Sequence, residues 1–154
     1  MSTAFSFSAV LPSKSDKAAW KKLATEFSER AGFPNCVGAG DGVLLPIYYQ
    51  TGTDGTTYFS RKGFYALNFQ VVVDANLRFM YIGGGLPGTV YDGHCWDRTS
   101  FGSRLASGSI LPDDEQYYFI VDGGYVVCCA LNYRVLCRCI YFPLSLLCRE
   151  TSKC

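Results

Sequence analysis

At 154 residues the chain has the length of a single domain. Its content of 49% hydrophobic and 16% aromatic residues excludes an intrinsically disordered chain. A formal net charge of +1 excludes a partner held by bulk charge, so any contact with nucleic acid has to come from local basic patches. No run of about 18 apolar residues is present, which argues against a membrane span. The opening MSTAFSFSAVLPSKSD lacks the basic and long apolar regions of a secretory signal, so an intracellular, reducing setting is expected.

In chain order, residues 1–15 read as an N-terminal tail. Ser15 or Asp16 is placed to cap a helix from about Lys17 to Arg30. Trp20, Leu23, Ala24, Phe27 and Ala31 recur at helical spacing as one apolar stripe, and Gly32 and Pro34 end it. Val43 to Tyr49 is apolar and rich in strand formers, and the Gly/Thr-rich TGTDGTTY that follows reads as a turn region. FYALNFQVVVD, residues 64–74, starts with partial alternation and becomes continuously apolar, as a strand buried on both faces does.

Asp74-Ala-Asn76 reads as a tight turn leading into a third strand, Leu77 to Ile82, with GGGLPG after it as a backbone breaker. Thr89 to Gly108 has helical character with Trp96, Phe101 and Leu105 as candidate core residues. LPDDEQ is an acidic turn, and YYFIV, residues 117–121, is a short apolar strand ending on Asp122. The predicted order is helix, three strands, helix, strand, within a domain over residues 16–125.

Residues 126–154 change character: they are rich in Cys, Leu and Tyr, with Arg134, Arg138 and Arg149 interspersed, and show no face or period. Six of the eight cysteines lie there. No CxxC pair occurs and the single His94 is far from them in sequence, so neither a zinc knuckle nor a disulfide framework is expected. The cysteines read as buried or incidental thiols.

Three aspartates share a context: Asp41 in GDG, Asp92 in YDG and Asp122 in VDGG. Each precedes a glycine, and Asp41 and Asp122 adjoin apolar strand candidates. Two readings stand side by side on the residues alone. Asp-Gly is an ordinary turn dipeptide. Alternatively, carboxylates converging at strand ends repel one another unless a cation lies between them, and hard oxygen ligands suit Mg²⁺ or Mn²⁺, the ions of phosphodiester cleavage.

The segments PNCVGAGDG, YFSRKGFYALNFQVVVD, GGGLPGTVYDG and FIVDGGY, in this order, resemble the DDE endonuclease domain of PIF/Harbinger-type transposases and the nucleases derived from them. The match covers about residues 12–125. The resemblance implies an α/β fold, an RNase H-like mixed sheet with flanking helices, here incomplete at its C-terminal end. It implies a divalent-metal-dependent DNA nuclease, with Asp41 and Asp122 as the catalytic, metal-binding pair and Asp92 as a rival or auxiliary ligand. It also implies Mg²⁺ or Mn²⁺ as cofactor, DNA and a separate DNA-binding protein as partners, and a nuclear location with the cytoplasm as a second. Arg61 and Lys62 match the family's basic block and are candidate DNA contacts, although a solvated turn explains them equally well.

The chain departs from the family pattern in three places. Val43-Leu44 stands where Thr-His is usual after the first Asp-Gly. Tyr91 stands where His usually precedes Asp92; His94, two residues beyond, is read as a surface residue. The family's catalytic Glu lies on a helix well after the fourth strand, whereas Glu150 is the one acid here after Asp122 and sits in an unrelated context. Two function classes are therefore carried forward: a nuclease impaired in its third acid, and an inactive relic that serves as a binding module.

Overall fold

The computed structural model describes residues 5–7, 11–48, 55–122, 125 and 135–137. Six strands form one sheet: β1 (Phe5–Phe7), β2 (Cys36–Pro46), β3 (Ala66–Val73), β4 (Phe79–Pro87), β5 (Tyr118–Val121) and β6 (Val135–Cys137), in the spatial order β1-β4-β3-β2-β5-β6. The β1–β4, β4–β3 and β3–β2 pairings are antiparallel; β2–β5 and β5–β6 are parallel. The helices are α1 (Lys17–Ala31), α2 (Asp92–Asp97) and α3 (Ser100–Ala106), with a 3₁₀ turn at Gly55–Tyr58. This is the α/β, RNase H-like mixed sheet with flanking helices that the resemblance implied.

Local chemistry explains the best-read elements. Asp16 caps α1 by accepting the Ala19 N–H at 3.1 Å, and Gly32 ends it in the left-handed region at φ +70°. Trp20, Ala24 and Phe27 of the apolar stripe are buried, with Leu23 and Ala31 packed at the margin. The β3–β4 hairpin turns on Asp74. Its buried carboxylate accepts the N–H groups of Asn76 (2.8 Å) and Arg78 (2.9 Å) and pairs with Arg78 Nε at 2.7 Å.

Two sequence expectations need correction. The second strand of the sheet begins at Cys36, seven residues before the expected Val43, so Asp41 lies inside a strand and not at its mouth. Nor does the GGG run break the chain. β4 continues through it to Pro87, with a bulge that changes register between Asn68–Leu86 and Phe69–Gly84. Gly84 and Gly85 take φ of +135° and +91°, and a Cβ on Gly84 would lie 2.8 Å from the Asn68 carbonyl oxygen.

The main core joins α1, the sheet and the two short helices. Trp20 meets Phe119 edge-on, Phe101 packs against Phe119 and Trp96, and Trp96 meets Tyr125 at 5.6 Å. Trp96, Phe101 and Leu105, read from the sequence as buried, are so. A smaller cluster of Phe27, Cys36, Ala75 and Ile120 closes the other end of α1. Cys36 and Cys95 are buried free thiols; the side chains of the other six cysteines lie outside the described residues. Among the described residues no helix is long and apolar enough to cross a membrane.

Candidate active site

β5 stops at Val121 while its parallel neighbour β2 runs on to Pro46. Gly40 pairs with Val121, so one residue further along both strands Asp41 stands beside Asp122. In-register residues of neighbouring strands are about 4.8 Å apart across the sheet. Their side chains share a face, opposite the face where Gly40 and Val121 pack against Trp96. Asp122 is exposed and Asp41 half-buried.

Electrostatics report the same proximity. Burial raises the Asp41 carboxyl above the ordinary carboxylate range, and the negative charges of Asp122 and Asp92 push it further. The Gly42 N–H, which donates to Asp41 Oδ1 at 2.7 Å, and the Lys62 ammonium act in the opposite sense.

Asp92 opens α2 and is held differently. It lies over Gly42, on the opposite face of β2 from the Asp41 side chain. A Cβ at Gly42 would come within 2.5 Å of the Asp92 Cγ. Its Oδ1 accepts Asn68 Nδ2 at 2.8 Å, and its Oδ2 is 3.4 Å from an Arg61 guanidinium nitrogen. Among the described residues no group of three His, Cys, Asp or Glu side chains converges as a metal cage. The fold thus brings Asp41 and Asp122 side by side and sets Asp92 on the opposite face of β2. His94 is exposed on α2, and Glu150 lies outside the described residues.

Behind Asp92 runs a buried polar chain that the sequence reading missed. Tyr125 Oη donates to Gln70 Oε1 (2.5 Å), Gln70 Nε2 to Asn68 Oδ1 (3.0 Å), and Asn68 Nδ2 to both Asp92 Oδ1 and the Val90 carbonyl (2.9 Å). The Val90 carbonyl can only accept, which fixes the Asn68 amide and, through it, the direction of every link towards the Asp92 carboxylate. Asn68, Gln70 and Tyr125 are at most 1% exposed, so each donor and acceptor has to be satisfied within the chain. The Tyr125 phenol is pushed well above its usual range, first by burial and then by the charges of Asp92, Asp41 and Asp122. It therefore remains a neutral donor behind three acids. The visible signal was the polar pair Asn68 and Gln70 at period two on the otherwise apolar face that also carries Ala66 and Val72.

Arg61 and Lys62 are displayed by a tight turn in which the Ser60 N–H donates to the Phe64 carbonyl (2.9 Å) and Gly63 takes φ +82°. They border a solvent-open cleft that also takes in Leu44, Phe59, Tyr91 and Asp92.

The model that matches this chain, described as a DDE superfamily endonuclease, spans residues 41–138. The chain belongs to the DDE superfamily endonucleases. The matched span begins on Asp41 and includes Asp92 and Asp122. The proteins named "Putative nuclease HARBI1" in Mus musculus and in Rattus norvegicus are each 32% identical to it over 100 residues, 65% of this chain. The chain spans 28% of the length of these relatives. No solved structure matches it.

Proposed function

We propose that this domain binds a divalent cation, Mg²⁺ or Mn²⁺, on Asp41 and Asp122 and directs it at DNA phosphodiester bonds, as a metal-dependent DNA endonuclease does. The observation that carries the reading is the placement of Asp41 beside Asp122 at the end of β5, with burial and then the neighbouring negative charge raising the Asp41 carboxyl. Two hard oxygen donors side by side suit a small hard cation, which relieves their mutual repulsion. When bound, the ion supplies Lewis acidity at a phosphate oxygen.

The chain's own residues do the rest. Asp41 is held rigidly inside β2 and oriented by the Gly42 N–H. Asp92, fixed by Asn68 on the other face of β2, is the auxiliary acid. Arg61 and Lys62 approach from the turn at Ser60–Phe64 and bind the DNA phosphates flanking the cut. A DNA substrate favours the nucleus, with the cytoplasm as a second location, and a separate DNA-binding protein would supply base-sequence recognition.

One observation favours the alternative of an inactive binding module with an impaired acid set: the Asp92 carboxylate already has donors in Asn68 and Arg61. Incubation with supercoiled DNA and Mg²⁺ or Mn²⁺, beside Asp41→Ala, decides between the two. Nicking by the wild type that Asp41→Ala abolishes supports the nuclease. DNA binding with equal background nicking in both supports the module.

A further inference from the structure

We propose that the cleft between Arg61 and Tyr91 is a subsite for one unstacked DNA base, which lies against the Tyr91 and Phe59 rings while its flanking phosphate sits on Arg61 and Lys62. The inference rests on the DNA-directed reading above and names the form of DNA that the site takes.

The argument starts from solvent exposure. Tyr91 is 79% exposed and Phe59 47%, although most aromatic residues of this chain's core are almost fully buried. Both rings line the same cleft, which Leu44 and Asp92 also line. Tyr91 immediately precedes Asp92 at the start of α2, and its hydroxyl makes no cap to that helix. Phe59 is held by an edge-on contact with Tyr65 at 5.2 Å and remains 47% exposed. On the same rim the Arg61 side chain is 72% exposed.

Aromatic surface next to cations is the pairing that single-stranded nucleic acid requires: rings stack on base faces and cations meet phosphates. A duplex cannot use it, because each base face is covered by its neighbour and only groove edges and phosphates are presented. The occupant is therefore a base already out of the stack, at a frayed end or extruded beside the cut. Tyr91 immediately precedes Asp92, so a base on Tyr91 lies beside the auxiliary acid.

The test uses the full chain with Ca²⁺ as the divalent ion and fluorescence anisotropy as readout. The probes are a blunt duplex and the same duplex with a short unpaired end carrying 2-aminopurine. Tyr91→Ala is expected to weaken binding of the unpaired end about tenfold and to leave the blunt duplex within about twofold. Tyr91→Trp should retain binding, and the 2-aminopurine should lose fluorescence on binding to the wild type and not to Tyr91→Ala. Arg61→Ala should weaken both probes alike, as a phosphate contact does. An equal effect of Tyr91→Ala on both probes, or none on either, overturns the base subsite while leaving the nuclease reading intact. A wild-type protein that binds neither probe overturns the DNA-directed reading, and the subsite with it.

Discussion

Gly42→Ala adds one methyl group at the position where Asp92 crosses β2, and its consequence can be worked from the structure. The new Cβ would lie within 2.5 Å of the Asp92 Cγ, too close for any carbon pair, so the carboxylate has to leave. Leaving breaks the 2.8 Å bond from Asn68 Nδ2, whose charge-assisted character makes it worth about 1.5–3 kcal/mol. The exposed Arg61 contact adds little. A net loss of about 2 kcal/mol follows, offset slightly because alanine suits a strand interior better than glycine.

The prediction is sharpest as a double-mutant cycle in urea. Asp92→Ala removes the obstacle, so Gly42→Ala in that background should cost about nothing, a coupling of about 2 kcal/mol. Additive effects within about 0.5 kcal/mol would refute the placement of Asp92 over Gly42. The same substitution should lower any nicking activity by displacing Asp92 from Asn68.

Three further outcomes are expected. Tyr125→Phe keeps the ring in the core but strands the buried Gln70 Oε1, and should destabilise the fold by about 1–3 kcal/mol in chemical denaturation with little change in m-value. Asp74→Ala removes the acceptor of two turn N–H groups at a buried site and should cost about 2–4 kcal/mol, whereas Asp74→Asn, which keeps an acceptor, should cost less. Burial pushes the Cys36 thiol from 9.0 up to about 12, so it stays protonated in the fold while the unfolded chain ionises. Below pH 9 Cys36 contributes no pH dependence. Between 9 and 12 the unfolded state has lost a proton that the folded state keeps, so stability should fall with rising pH by up to about 1.4 kcal/mol per unit from this group. Cys36→Ala should remove that share of the slope, and peptide-resolved alkylation at pH 8 should leave Cys36 unmodified until the protein unfolds.

What the sequence revealed, and what it hid, follows the range of the forces involved. α1 was legible because its cap, stripe and terminating glycine are all local. The hairpin was legible because Asp74 makes its turn by itself. β2 was read too short because GAGDG looks like a turn. Gly38, Gly40 and Gly42 alternate along one face, where Phe119, Trp96 and Asp92 fill the space a side chain would need, and those residues come from 50 to 81 positions away. The GGG run was read as a break for a similar reason: its bulge fits against the backbone of β3. β6, Val135–Cys137, pairs in parallel with β5 inside a segment whose composition carried no period. The rest of that segment, residues 126–134 and 138–154, lies outside the described residues. Of the candidate site, the three acids stood out by their shared Asp-Gly context, and their roles came from the resemblance. The division between the Asp41–Asp122 pair and Asp92 was already implied by the resemblance, whereas the Tyr125–Gln70–Asn68 chain behind Asp92 required the tertiary fold.

The central claim is that Asp41 and Asp122 together hold a divalent cation, and calorimetric titration of Mn²⁺ into the purified protein tests it most directly. The account predicts one binding event that either Asp41→Asn or Asp122→Asn abolishes and that Asp92→Asn weakens without removing. Binding that persists unchanged in both Asp41→Asn and Asp122→Asn would contradict it.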